Sequence, residues 1–171
     1  MILQQVTLER SPDSLPTMRI LLSLVATDMN TGSEVVFRSG NLNRAIRASF
    51  SIPVVLKPIR EDNMLLMDGG ICNPLPLNRV QRHDGDILVA VNVSAPWEQM
   101  QPPVTSLTVL DRVADVMIQQ HSELMKQLCP PDINVDVPIN QFGSFDYDKA
   151  DEIIRFSYDR MNSAIDRYES L

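Results

Sequence analysis

An α/β layered fold around a central, partly parallel sheet is the architecture this sequence predicts. Two observations carry it. Apolar runs of strand length alternate with segments of helical period. Two of those runs, Arg19 to Thr27 and Asp86 to Val93, are almost continuously apolar, as strands covered on both faces are.

Residues 1–18 are polar and weakly patterned, with Ser11-Pro12-Asp13 and Pro16 as breakers, and read as a loop or the remnant of a helix. The first buried strand, Arg19 to Thr27, runs into a turn over Asp28 to Gly32, where Gly32 is free to take a positive φ. Glu34 to Arg38 returns alongside it. Asn41 is positioned to cap a helix over Leu42 to Ala48, with Leu42, Ala45 and Ile46 on one face, and Pro53 ends that unit. Val54 to Lys57 and Met64 to Met67 read as a pair of short strands turned at Glu61-Asp62-Asn63. The second buried strand, Asp86 to Val93, follows.

Pro102-Pro103 opens a loop before an amphipathic helix over Ser106 to Leu128, on which Leu110, Val113, Met117, His121 and Leu124 recur at spacings of three and four. Ile133 to Val137 is a late strand. Asp148 is expected to cap the last helix, with Asp151 in its first turn, where the helix dipole favours an acid. Ile154, Tyr158, Met161 and Ile165 supply that helix's apolar face. Repeats and low-complexity tracts are absent, so residues 1–171 read as one domain.

Composition narrows the function classes. With 22 acidic and 15 basic residues the net charge is −7, and no Lys/Arg cluster exceeds Arg44 with Arg47, which argues against nucleic acid as a partner. Cys72 and Cys129 are far apart and form neither a metal motif nor a disulfide framework, so no metal and no cofactor are expected. The longest apolar run, Ile20 to Ala26, is too short to span a bilayer. With no secretory signal visible, the expected location is cytoplasmic.

The segment richest in chemistry is Met64 to Pro76, Met-Leu-Leu-Met-Asp-Gly-Gly-Ile-Cys-Asn-Pro-Leu-Pro. Asp68 sits at the end of an apolar strand, where open α/β sheets place reacting groups. Gly69 and Gly70 allow a tight turn and the close approach of another backbone. On these residues alone, a turn whose aspartate simply accepts backbone N–H bonds explains the pattern equally well.

The wider context adds a resemblance. Val25-Ala-Thr-Asp-Met-Asn-Thr-Gly32, Phe37-Arg-Ser-Gly40, Arg44 to Pro53, Asp68 to Pro76 and Asp86 to Val93 resemble the patatin-like phospholipase family in order and spacing, and Phe145 to Ile154 is similar to the start of its closing helix. The resemblance implies a serine lipid acyl hydrolase with a Ser–Asp dyad. The aspartate of the family's Asp-Gly-Gly motif carries over onto Asp68, with Gly69 and Gly70 beside it. Such a base activates a serine hydroxyl, a poor nucleophile on its own, and needs no histidine. His83 and His121 lie outside every matching motif.

The departure from the family is as informative. The glycines are Gly32, Gly40, Gly69, Gly70, Gly85 and Gly143, and no two are four apart, so Gly-x-Ser-x-Gly does not occur. The only Gly-Gly pair belongs to the aspartate motif, so the glycine-rich oxyanion loop is missing too. Ser33, Ser49, Ser51 and Ser144 show no strand–Ser–helix elbow, and Cys72 has no base that the sequence sets beside it. The expectation is therefore an incomplete domain, the C-terminal portion of the family fold, that supplies the aspartate but not the nucleophile and is inactive alone. A lipid or acyl-ester substrate is expected once a nucleophile-bearing half completes it, and self-association follows from the unpaired surfaces. The alternative is a non-catalytic binding or assembly module built on half of that fold.

Overall fold

The computed structural model describes residues 2–3, 21–93, 104–137 and 147–170. They form two compact units, Met1–Val80 and Gln81–Leu171, each taken by itself. The architecture is α/β, with one antiparallel sheet in the first unit and one parallel strand pair in the second.

In the first unit β1 (Ile2–Leu3), β2 (Ser23–Asp28), β3 (Ser33–Phe37), β4 (Ile59–Glu61) and β5 (Met64–Asp68) make a five-stranded sheet in the order β1-β2-β5-β4, with β3 on the other edge of β2. Every pairing in it is antiparallel. The short β1 lies within residues expected to be loop or helix remnant. Most of β2 is buried, as its apolar run requires. The β2–β3 turn is closed by the side chain of Asp28, whose Oδ1 accepts from Asn30 N at 3.1 Å and whose Oδ2 accepts from Thr31 Oγ1 at 2.8 Å. Gly32 has φ 71°, as anticipated.

Helix α1 (Leu42–Ser49) begins where Asn41 Oδ1 accepts from Arg44 N at 3.0 Å. It buries Ala45 and Ala48 on one face of the sheet. Leu22, Leu24, Phe37, Leu42 and Ile46 pack around the first, and Ala26, Leu66, Val35, Ile59 and Met64 around the second. Leu24 and Leu66 are wholly buried, and each such side chain contributes ~1.5–3 kcal/mol of transfer free energy. Glu34 alternates with Val35 along β3 and so lies on the opposite face. There the segment after β5 crosses: Asn73 Nδ2 donates to Glu34 Oε1 at 2.8 Å, Arg79 Nε donates to Glu34 Oε2 at 2.9 Å, and Leu75 and Leu77 are buried.

One strand expectation is corrected. Residues 54–57 are not a strand, and β4 lies further on at Ile59–Glu61. Val54-Val55 has β-branched composition but stands between Pro53 and Pro58, and Val54 adopts φ 71°, outside any extended region.

In the second unit β6 (Val89–Asn92) and β7 (Ile133–Asp136) pair in parallel, with α2 (Ser106–Leu128) between them in sequence, the order of a βαβ crossover. This is the parallel component the sequence predicted. Helix α2 has the expected bounds. Its start is fixed by a capping box: Thr105 Oγ1 accepts from Thr108 N and Thr108 Oγ1 accepts from Thr105 N. Near its C-terminal end Met125 is buried and Lys126 pairs with Asp136 of β7. Along its middle, Leu110, Val113, Met117 and Leu124 are exposed, so the apolar stripe is formed but uncovered among the described residues.

Helix α3 (Ala150–Glu169) packs Phe156, Met161, Ala164 and Ile165 against Val89, Ile133, Val135 and Val137. Asp148 does not cap it. That residue lies inside a 3-10 turn, Tyr147–Lys149, and Lys149 takes the cap position. Asp151 does stand in the first turn. Ile154 and Tyr158, expected on the packed face, are exposed. The run Asp86 to Val93 is less buried than expected: Ala90 and Asn92 are buried and Val89 packs against α3, but Ile87, Val91 and Val93 are exposed, and among the described residues the strand pairs only with β7. Pro102-Pro103, Ser144 and the Phe145 motif lie outside the described residues, apart from its helical end.

Candidate active-site aspartate

Asp68 is the last residue of β5, opposite Ala26 of β2. Its backbone is held on both sides. The N–H donates to Ser51 O at 3.1 Å, and the carbonyl accepts from Thr27 Oγ1 at 2.8 Å. The chain then turns into a single 3-10 turn over Gly69–Ile71, with Asp68 as its cap: Oδ1 accepts from Gly70 N at 2.7 Å. Oδ2 accepts no hydrogen bond from any described residue. One carboxylate oxygen is therefore spent on the turn and the other is left to act as an acceptor.

Both glycines are required by space rather than by φ. A Cβ on Gly69 would lie 2.2 Å from the Val25 carbonyl oxygen, a backbone atom of β2, so the backbone itself would have to shift to admit it. A Cβ on Gly70 would lie 2.9 Å from Asp68 Oδ1 and would push on the carboxylate itself. The turn is closed by Cys72 N and Asn73 N, both donating to Gly69 O. Asn73 is buried, and its amide also reaches Asn78 Oδ1 at 3.0 Å. Glu34, Asn73, Asn78 and Arg79 thus form a polar knot beneath the turn. Sequence reading took Asn73 only as a turn residue with Pro74. The signal for the knot was the pairing of an acid on β3 with a base beyond the turn, which only tertiary contact reveals.

Among the described residues, none of the other candidate nucleophiles hydrogen-bonds to the Asp68 carboxylate. Ser51 is buried, and its hydroxyl donates to Arg47 O at 2.6 Å and accepts from the Arg47 guanidinium. The Ser49 hydroxyl is buried with no partner among the described residues. Ser33 is exposed on the hairpin. Cys72 Sγ donates to Gly32 O at 3.2 Å. His83 is exposed beside Asp86, with Nδ1 to Oδ2 at 3.4 Å, and His121 is half-buried on α2. No group of three or more His, Cys, Asp or Glu capable of holding a metal occurs among the described residues. No described helix is long and apolar enough to cross a membrane.

The patatin-like phospholipase family model matches residues 5–80, which includes the Asp68 turn and its polar knot. An uncharacterized NTE family protein of Mycobacterium tuberculosis is 37% identical over 99 residues, covering 56% of this chain and 28% of that protein. A second M. tuberculosis NTE family protein is 44% identical over 54 residues, 32% of this chain and 9% of its own length. The mouse patatin-like phospholipase domain-containing protein 7 is 25% identical over 170 residues, 83% of this chain but 12% of that protein. The chain thus spans about a quarter or less of the length of these relatives.

Proposed function

The chain belongs to the patatin-like phospholipase family, and on that premise we propose that Asp68 is the general base of a Ser–Asp lipid acyl hydrolase whose serine comes from a separate segment or chain. The observation that carries the reading is the divided carboxylate, with Oδ1 tied to Gly70 N and Oδ2 unclaimed among the described residues. A base held by one oxygen keeps its direction while the other takes a proton. In the proposed step the serine Oγ–H proton passes to Oδ2 as Oγ bonds to the acyl carbon. The same proton then leaves with the alcohol when the tetrahedral adduct collapses, and water releases the acyl group by the reverse path.

We further propose that both units are parts of one family domain, 1–171. The mouse relative aligns over 83% of the chain, well past the 80 residues of the first unit. On this reading the isolated chain is inactive, since it contains no Gly-x-Ser-x-Gly. A fluorophosphonate probe tests this directly: no serine of the chain should label, and activity should appear only on adding a family segment that carries the elbow. Stoichiometric labelling of one serine in the isolated chain, with ester turnover, overturns the reading. A second reading, a non-catalytic assembly module, is favoured by the apolar stripe of α2, which is uncovered among the described residues. Reconstitution that yields a stable complex but no turnover would select it.

A further inference from the structure

Between α1 and β4 the chain exposes an apolar loop. Val54 is fully exposed at 102% of its reference area, with Val55 at 54%, Ile52 at 50% and Phe50 at 46%. Val54 also adopts φ 71°, a left-handed conformation that crowds a β-branched side chain and that glycine or asparagine adopts far more readily. Strain of this kind persists where surrounding structure fixes it, and it clusters at functional positions. The surroundings here do fix it. Leu56 N donates to Ile52 O at 2.9 Å, and Arg47 Nη2 donates to Lys57 O at 3.1 Å across the base of the loop.

Charge is distributed to match. The chain carries −7 overall, yet this apolar tip is bordered by cations. The Arg47 guanidinium lies 5.7 Å from the Phe50 ring centroid. Lys57 is exposed and pairs with no carboxylate among the described residues, while the next acid along the chain, Glu61, is engaged by Arg44. The loop also begins at Ser51, whose carbonyl holds the Asp68 backbone.

We propose that residues 50–57 are a lipid-interface contact: Val54 and Val55 enter the acyl boundary of a bilayer or micelle, Lys57 and Arg47 meet anionic headgroups, and the surface so engaged lies beside the Asp68 turn. Apolar insertion combined with cations at the headgroup level is how surface-bound proteins hold lipid. The proposal rests on the lipid-hydrolase reading only for its choice of lipid as the occupant.

Co-sedimentation of the chain with phosphatidylcholine vesicles, with and without phosphatidylserine, is the test. The wild-type chain binds both, and the phosphatidylserine vesicles more tightly. The pair Val54→Asp and Val55→Asp weakens binding to both by about tenfold or more, because two side chains that would be buried in lipid become charged. Lys57→Gln weakens binding only to the phosphatidylserine vesicles, by about fivefold, the ~1 kcal/mol that one cation contributes near an anionic surface. Val54→Gly separates binding from folding. It removes the inserted side chain and relieves the positive φ, so vesicle affinity falls while the melting temperature holds or rises. Absence of wild-type binding, or unchanged binding in the double-aspartate variant, overturns the proposal. So does loss of self-association in that variant without any vesicle effect, which would assign the loop to a second copy of the chain. Vesicle binding is read without turnover, so a null result leaves the dyad standing, and a failed dyad leaves this result standing.

Discussion

The Asp68 N–H donates to the Ser51 carbonyl at 3.1 Å, so the end of β5 and the loop that leaves α1 share one hydrogen bond across 17 positions of chain (68 − 51). With Thr27 Oγ1 on the Asp68 carbonyl, the aspartate is anchored from two separate elements before its side chain makes any contact. A residue fixed in this way has its side-chain direction set by the sheet rather than by a flexible loop, as the proposed role of base requires.

Replacing Asp68 by Asn keeps the shape and the acceptor toward Gly70 N but removes the base. In the reconstituted hydrolase the rate should fall by ~10²–10⁴ while the urea midpoint of the chain barely moves. Wild-type turnover in Asp68→Asn, compared by steady-state ester hydrolysis, would reduce Asp68 to a turn residue.

The two glycines should separate stability from positioning. Gly69→Ala drives a Cβ into the Val25 carbonyl and should cost at least the ~1–3 kcal/mol of a typical overpacking substitution, seen as a lower urea midpoint. Gly70→Ala presses on Asp68 Oδ1. Its larger effect should be on turnover in the reconstituted enzyme, with a smaller loss of stability. Equal destabilisation by both would contradict this division.

Acid should weaken the β2–β3 turn through Asp28. Its carboxyl is held below the ordinary aspartate value chiefly by the Leu65 N–H, then by the Thr31 hydroxyl and, less strongly, by the Asn30 N–H, against the opposing pull of burial. Because the folded value is the lower one, the native state binds fewer protons. The stability this group contributes is complete above the ordinary value and is lost as pH falls through the folded one. Asp28→Asn should therefore be less stable than wild type at about pH 7, with a smaller gap at about pH 3, below the ordinary aspartate value. Parallel urea titrations at the two pH values measure it, and a gap independent of pH would remove Asp28 from the account.

The stripe Leu110, Val113, Met117 and Leu124 on α2 is exposed among the described residues, and contiguous apolar surface of this kind favours association or dye binding. The chain should bind ANS and sediment as more than a monomer. Leu110→Lys with Met117→Lys should lower dye fluorescence several-fold without unfolding α2, whose capping box is untouched. A monomer with no dye binding in the unmodified chain would show the stripe to be covered in solution.

The sequence was most legible where structure is set locally. The bounds of α2, the Asn41 cap of α1 and the positive φ of Gly32 all follow from residues within a turn of each other. It was less legible where partners are distant. Val54-Val55 has strand composition, but flanking prolines and a left-handed φ make it a projecting loop. Strand direction also escaped local patterns: both apolar runs read as strands covered on both faces, and nothing in them told β6, which has a parallel neighbour, from β2, which is buried by antiparallel strands with α1 on one face and the 73–79 segment on the other. At the site, the motif identified the aspartate and its glycines. The Glu34–Asn73–Arg79 knot that supports them joins residues up to 45 positions apart, and no spacing rule reaches that far.

β2 has β3 along one edge and β5 and β1 end to end along the other, whereas among the described residues β4 has a neighbour only in β5. Amide hydrogens along β2 can therefore meet solvent deuterium only when the whole first unit opens, while those on the free edge of β4 exchange through brief local fraying. The deuterium clock would run slowest at Leu24 to Ala26, which ties the lifetime of the Asp68 turn, paired to the same strand, to the lifetime of the unit itself.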